Sequence, residues 1–220
     1  ANDAALAYFQ RLSYAQIADE LEIPAITCWL LSTENLSRPA AELEPYYDVL
    51  IDLFEEIPQK IEGHDVSVRF VGSLDLLPQR LTAAAKRLET RCDLGRRRLT
   101  IALAYGGRQE IVDAARELIA RLAADGCPAA EMPKRIDAAS LGAFMYSPDL
   151  PDPDLVIRTS GELRTSNYLL WESAYSEYLF TPVLWPDFDR NTLVDCIIEY
   201  QARDRRFGGA IDASGEAVDE

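Results

Sequence analysis

An α/β fold, with a mostly parallel central sheet flanked by helices, is what this 220-residue sequence predicts. Two observations carry that expectation. Five short runs of apolar and mostly β-branched residues read as strands, mostly buried on both faces. Between them lie longer stretches whose apolar residues recur every three or four positions, as helices with one buried stripe require. Strands alternating with helices of this length imply right-handed crossovers and parallel pairing. The length suits a single domain.

The first strand is "IPAITCWLLS" (23–32). Pro39 then suits the first position of a helix that carries Leu43, Tyr46, Tyr47, Leu50, Leu53, Phe54 and Ile57. "VSVRFVG" (66–72) is the second strand, followed by a helix through Leu77, Leu81, Ala84, Ala85 and Leu88. "LTIALAY" (99–105) is the third, and the next helix spans Gln109 to Ala124. That helix has Ile111, Ala115, Leu118, Ile119 and Leu122 on one stripe, with Gly126 as its stop. "DLVIRTS" (154–160) and "EYLFT" (177–181) complete the strands. A last helix starts after Asp187 or Asp189 as N-cap, passes Leu193, Ile197 and Tyr200, and ends at Gly208-Gly209. The domain is thus expected over 1–209. The small, acidic tail 210–220, "AIDASGEAVDE", is expected to be disordered.

Composition excludes several classes of function. Lys and Arg number 22 against 37 Asp and Glu, for a formal charge of −15, so most of the surface repels nucleic-acid phosphates and anionic membranes. Any anion must therefore be held by a local pocket. Cys28, Cys92, Cys127 and Cys196 lie far apart with no CxxC pair, and a single histidine accompanies them. They read as free thiols of a reducing compartment rather than as a metal site. No apolar run approaches the ~20 residues of a spanning helix, and the first residues do not resemble a signal peptide. The expectation is a cytoplasmic protein with no nucleic-acid partner and at most peripheral membrane association.

Three strands end in polar clusters, and the predicted topology gathers those ends on one rim, where ligands of open α/β sheets bind. Ser32, Thr33, Glu34, Asn35, Ser37 and Arg38 follow the first. Ser37 reads as a helix cap, whereas Asn35 and Arg38 exceed what a cap needs. Gly106-Gly107-Arg108 follows the third strand, and serves either a tight strand-to-helix turn or an anion held by backbone amides at a helix N-terminus. After "DLVI" come Arg158 and Arg164 with Thr159, Ser160, Thr165 and Ser166 among them. Two guanidiniums and several hydroxyls make a fork-like donor set for a phosphate or diphosphate. Glu177, among apolar and aromatic neighbours, is either a structural carboxylate or a ligand for the Mg²⁺ that neutralises such a diphosphate.

Five stretches, "WLLSTENLSRP", "YGGRQEIVDA", "DLVIRTSGELRTSNYLLWESAYSEYLF", "LWPDF" and "RRFGG", occur in the order and approximate spacing found in cis-prenyltransferases. The chain resembles that family, which includes undecaprenyl diphosphate synthases, over about residues 23 to 209. The resemblance implies head-to-tail condensation of isopentenyl diphosphate with an allylic diphosphate, giving a new Z double bond and requiring Mg²⁺. It implies that Arg158, Arg164 and Ser166 hold the isopentenyl diphosphate and that Glu177 helps bind Mg²⁺. Asn35 and Arg38 would lie towards the reacting end of the allylic substrate, supported by Ser32. Arg206 and Gly208 match a C-terminal RxG motif that in relatives reaches an active site across a dimer interface, so a homodimer is implied. An apolar tunnel for the growing chain is implied as well, with the Tyr46 to Ile57 helix as a candidate wall.

The sequence also departs from the family. Relatives carry an N-terminal Asp-Gly-Asn-x-Arg-Trp segment whose aspartate binds Mg²⁺, and no part of "ANDAALAYFQRLSYAQIADELEIPAIT" matches it. Because the RTSGE stretch, Glu177 and RRFGG are all present, the segment is expected in a part of the protein outside these residues. The alternative is a non-catalytic subunit that works beside an Asp-bearing homologue. Ala104 and Glu172 stand where relatives usually have Asn and Gln, and Leu36, where long-chain bacterial members often have Trp, resembles short-chain Z-farnesyl-type relatives.

Overall fold

Strand β1 (Ala25–Trp29), strand β2 (Val66–Val71) and strand β3 (Arg97–Ala102) form a parallel sheet in the order β1-β3-β2. The computed structural model describes residues 20–204. β3 sits in the middle, with Thr27 opposite Thr100 on one side and Val68 opposite Leu99 on the other. β4 (Leu155–Arg158) and β5 (Glu177–Phe180) make a second parallel pair, so the strands expected in one sheet hydrogen-bond as two. The chain divides into two compact units. Among the described residues, those up to Pro151 together with Arg164–Trp171 form the first, and Asp152–Leu163 with those from Glu172 onward form the second.

In the first unit, helix α1 (Ala40–Lys60) and helix α2 (Gln79–Arg91) pack on each other and on the sheet. Pro39 is the N-cap of α1 rather than its first residue. Leu43, Leu50, Leu53, Phe54 and Ile57 of α1 meet Leu81, Ala84, Ala85 and Leu88 of α2 and Val68, Phe70 and Ile101 of the strands in one buried cluster. Phe54 stands edge-on to Phe70 with centroids 4.9 Å apart. Within the helix expected to wall a tunnel, Leu50, Leu53, Phe54 and Ile57 lie in this cluster while Tyr46 and Ile51 are half-buried, and truncating Phe54 to alanine costs about 3–5 kcal/mol.

Helix α3 (Gly107–Ala124) begins two residues before the expected Gln109 and buries a different stripe. Gly107, Glu110, Ala114 and Leu118 face inward, while Ile119 is 46 % exposed. The reason is polar: the Glu110 carboxylate accepts the Tyr105 hydroxyl and, at 2.8 Å, the Tyr146 backbone N–H. That pair turns the helix so that an acid rather than an isoleucine is enclosed. A short helix α4 (Ala138–Gly142), not expected from periodicity, is held by reciprocal capping between Asp137 and Ser140.

In the second unit, helix α5 (Arg190–Gln201) starts at Asp189, whose carboxylate accepts the Thr192 N–H and hydroxyl, both at 2.8 Å. It ends at Gln201, earlier than expected; the predicted Gly208-Gly209 stop and the acidic tail lie outside the described residues. Cys28, Cys92, Cys127 and Cys196 are free thiols. Among the described residues no helix is long and apolar enough to cross a membrane.

Candidate active site

Parallel pairing brings the carboxyl ends of β1 and β3 side by side, and backbone contact continues beyond both strands. Ser32 bridges to Tyr105, the Thr33 N–H reaches the Tyr105 carbonyl at 3.1 Å, and the Tyr105 N–H reaches the Leu31 carbonyl at 3.1 Å. The polar runs predicted after these two strands therefore share one rim. Ser32, 8 % exposed, and Asn35 cap each other: the Asn35 N–H donates to Ser32 Oγ and the Ser32 N–H donates to Asn35 Oδ1, both at 3.1 Å. This fixes a short 3-10 turn over Glu34–Ser37. Ser37 does not cap α1; its hydroxyl donates to the Glu34 carbonyl at 2.7 Å. Arg38 is exposed, and its charge partly opposes the burial that pushes the Tyr46 hydroxyl up to about 12. That hydroxyl donates to the Leu30 carbonyl at 2.5 Å.

The glycine turn after β3 is closed by the protein itself. The Gly107 N–H donates to the Asn167 carbonyl at 2.7 Å and the Arg108 N–H to Asn167 Oδ1 at 2.9 Å, so these two amides at the start of α3 are already occupied. Of the two readings of Gly106-Gly107, the tight turn is the one built. A Cβ on Gly106 would lie 2.7 Å from Asn167 Nδ2 and 2.7 Å from Thr33 Oγ1, and one on Gly107 would lie 2.8 Å from Leu170 Cγ.

The segment Arg164–Trp171 belongs to the same unit as Ser32, Asn35 and Arg38. Asn167 Nδ2 donates to Glu34 Oε1 at 2.9 Å. Partial burial pushes the Glu34 carboxyl up, but bonds from its own backbone N–H, Asn167, Thr33 and Ser32 outweigh it and hold Glu34 below the usual range. Ser166, Asn167 and Leu169 have φ of 51°, 70° and 42°, a left-handed region that asparagine enters readily but in which Ser166 and Leu169 need surrounding contacts to hold them. Tyr168 supplies one of them, stacking on Trp29 at 4.9 Å and donating to the Thr27 carbonyl at 3.1 Å. Arg164 is exposed and Ser166 half-buried.

Arg158 and Glu177 lie in the second unit. Half-buried Arg158 ends β4, and its carbonyl accepts the Thr181 N–H at 2.9 Å. Glu177 begins β5, its N–H bonded to the Asp154 carbonyl at 2.9 Å. Arg203 Nη1 donates at 2.9 Å both to Glu177 Oε2 and to the Tyr178 carbonyl, and Nη2 donates to Glu199 at 2.8 Å. The Glu177 bond, then that of Glu199, raises the Arg203 guanidinium above its ordinary range. Among the described residues no three His, Cys, Asp or Glu side chains converge to hold a metal ion. The single carboxylate of Glu177 fits the mode in which Mg²⁺ takes one protein oxygen and completes its shell with phosphate oxygens and water. Arg206 and Gly208 lie outside the described residues.

Glu34 belongs to the polar run read after the first strand, but its link to Asn167 is not signalled there, and Arg203 carries no sign of a role in the sequence. Their roles rest on contacts between distant segments, which no local spacing signals.

Comparison with known proteins follows the same outline. A family described as "Putative undecaprenyl diphosphate synthase" matches residues 8–208. The isoprenyl transferase of Heliobacterium mobile is 42 % identical over 198 residues, covering 88 % of this chain and 74 % of that protein. A Methanopyrus kandleri protein named tritrans,polycis-undecaprenyl-diphosphate synthase (geranylgeranyl-diphosphate specific) is 45 % identical over 192 residues, covering 86 % and 69 %. Among solved structures, lavandulyl diphosphate synthase from Lavandula x intermedia, in complex with dimethylallyl diphosphate, superposes with a TM-score of 0.86 at 29 % identity, over 94 % of this chain and 89 % of that one. A "probable undecaprenyl diphosphate synthase" from Campylobacter jejuni gives 0.78 at 25 % identity, over 94 % and 92 %.

Proposed function

We propose, from the premise that this chain belongs to the prenyltransferase family described as "Putative undecaprenyl diphosphate synthase", that it condenses isopentenyl diphosphate with an allylic prenyl diphosphate to form a longer Z-prenyl diphosphate. The observation that carries this reading is the family match over residues 8–208, supported by relatives named isoprenyl transferase at 40 % identity or more. The geometry agrees with it, since the polar loops of the first unit collect at the carboxyl ends of parallel strands, where α/β folds bind ligands.

In this reading Arg158, Arg164 and Ser166 hold the diphosphate of isopentenyl diphosphate with charge-assisted bonds. Asn35 and Arg38, braced by Ser32, attend the reacting end of the allylic partner. The carbon–oxygen bond to the allylic diphosphate breaks with its electron pair leaving on the diphosphate. The isopentenyl double bond forms the new carbon–carbon bond, and a proton is lost from the isopentenyl unit. Glu177 would hold Mg²⁺, which when bound neutralises diphosphate charge. Arg206 and Gly208 would complete a site across a homodimer. The enzyme would work in the cytoplasm, with at most peripheral membrane contact for its product.

The test is an assay of the full-length protein with labelled isopentenyl diphosphate, Mg²⁺ and short allylic primers. A longer prenyl diphosphate is expected, and its absence with every primer sinks the reading. Arg158→Ala and Arg164→Ala should each weaken isopentenyl diphosphate binding at least tenfold. Undiminished binding in both variants speaks against this grip.

A further inference from the structure

We infer that Asn167 is a positioning residue for isopentenyl diphosphate, fixing the turn that carries Arg164 and Ser166 to the loop that carries Asn35 and Arg38. This rests on the proposed roles of those four residues. Asn167 itself carries no charge and needs no contact with substrate.

All of its polar groups named above serve that link. Its carbonyl accepts the Gly107 N–H at 2.7 Å, its Oδ1 accepts the Arg108 N–H at 2.9 Å, and its Nδ2 donates to Glu34 Oε1 at 2.9 Å. An ordinary helix cap needs one acceptor. Asn167 uses two on successive amides and spends its donor on a third segment, so one residue joins the ends of β1 and β3 to the Arg164–Trp171 turn. It does so at φ 70°, flanked by Ser166 at φ 51°. Asparagine is among the few residues that enter this region readily, whereas Ser166 does so at a cost that its neighbours must offset. The strained Ser166 backbone is thus followed directly by Asn167, which three bonds hold in place. Glu34, in turn, is adjacent to Asn35 and lies in the 3-10 turn that ends at Ser37, just before Arg38. A donor on Asn167 and a carboxylate on Glu34 thus set the spacing between the two groups of substrate residues.

The test uses the full-length protein and calorimetric binding of isopentenyl diphosphate, with kcat, KM and Tm measured alongside. Asn167→Asp keeps the acceptor for Arg108 but puts a carboxylate against Glu34, and should weaken binding about tenfold or more. Glu34→Gln alone should stay within about threefold, because its amide oxygen still accepts from Asn167. Combining Glu34→Gln with Asn167→Asp reverses the bond, the new amide at position 34 donating to the new carboxylate at position 167. This double variant should restore binding to within about threefold of the parent. Asn167→Gly tolerates the left-handed backbone and keeps the Gly107 bond, so it reports even where Asn167→Asp does not fold. It should also raise KM about tenfold, with kcat changed less. Parent-like KM and binding in Asn167→Gly, or in a folded Asn167→Asp, overturn the inference. So does a folded double variant that binds no better than Asn167→Asp alone. A parent that binds no isopentenyl diphosphate instead overturns the proposed function itself.

Discussion

Arg203 Nη1 reaches Glu177 Oε2 at 2.9 Å from the end of helix α5, and the same nitrogen donates to the Tyr178 carbonyl. The proposed Mg²⁺ ligand is therefore oriented by a cation on the segment that leads to "RRFGG". Outer partners of metal ligands usually matter about 10–100-fold. Arg203→Ala is expected to raise the half-saturating Mg²⁺ concentration about tenfold and to speed amide exchange over residues 199–204, where α5 is no longer fastened to β5. Mass-spectrometric exchange and an Mg²⁺ titration of the activity check the two effects separately. Unchanged values in both would remove Arg203 from the site.

Glu110 is enclosed at 2 % exposure and receives the Tyr105 hydroxyl and the Tyr146 N–H. Glu110→Ala strands both donors. Leaving buried donors unmet costs about 1–3 kcal/mol each, so a loss of roughly 3 kcal/mol is expected by urea denaturation. Glu110→Gln keeps an acceptor and should lose about 1 kcal/mol. Equal losses would show that the carboxylate itself, rather than an acceptor of the same volume, holds α3 in place.

Gly72 and Gly63 both have positive φ, 117° and 82°, yet substitutions at them should differ in cost. A Cβ at Gly72 would lie 2.0 Å from the Leu103 carbonyl oxygen, a backbone atom that cannot swing aside, whereas nothing lies within 4 Å at Gly63. Gly72→Ala should cost about 3 kcal/mol or more, combining overpacking with backbone strain. Gly63→Ala should cost about 1 kcal/mol, strain alone. At roughly 2–4 °C per kcal/mol for a chain of this size, thermal melts separate the two variants.

Stability against acid follows from carboxyls held below their ordinary values. The Asp189 carboxyl is lowered by the Thr192 N–H and hydroxyl, Asp137 by the Ser140 N–H and hydroxyl, and Asp149 chiefly by Arg98. Glu34 is lowered as well, its hydrogen bonds outweighing burial. A carboxyl whose pKa is depressed on folding stabilises the fold above its unfolded value, here 3.8 for Asp and 4.5 for Glu. That stability disappears as pH drops through the lower folded values. The urea midpoint should therefore stay nearly level from about pH 7 to 5 and fall below about pH 4. Asp189→Asn, which still caps α5 but does not ionise, should make the acid loss shallower. A midpoint that declines between pH 7 and 5 would contradict the assignment.

The strands were legible because their signal is local. Val66–Val71 and Arg97–Ala102 lie close to the runs read from β-branched composition, and the shared rim of β1 and β3 follows from parallel pairing. The inward face of α3 was not legible. Apolar spacing favoured Ile119, but two tyrosine-linked bonds to Glu110 decide the rotation, and those partners come from β3's end and from Tyr146. α4 carried a readable sign, Asp137 three residues before Ser140, in a stretch too short for periodicity. Asn167 carried little: asparagine suits its left-handed backbone, but its contact with Glu34 spans 133 positions, which no local pattern signals. Arg203 carried no sign for the same reason, paired across 26 positions with the acid it orients.

The order β1-β3-β2 places the last strand of that sheet to be synthesised in its centre. During translation the two flanking strands emerge first and cannot pair with each other in the native sheet. Helices α1 and α2 form early, but both inner strand edges stay open until Arg97–Ala102 leaves the ribosome. Loop closure over such distances slows folding and leaves strand edges available to other chains. The nascent protein is therefore most prone to aggregation in the interval between α2 and β3, and slower synthesis there would lengthen that exposure.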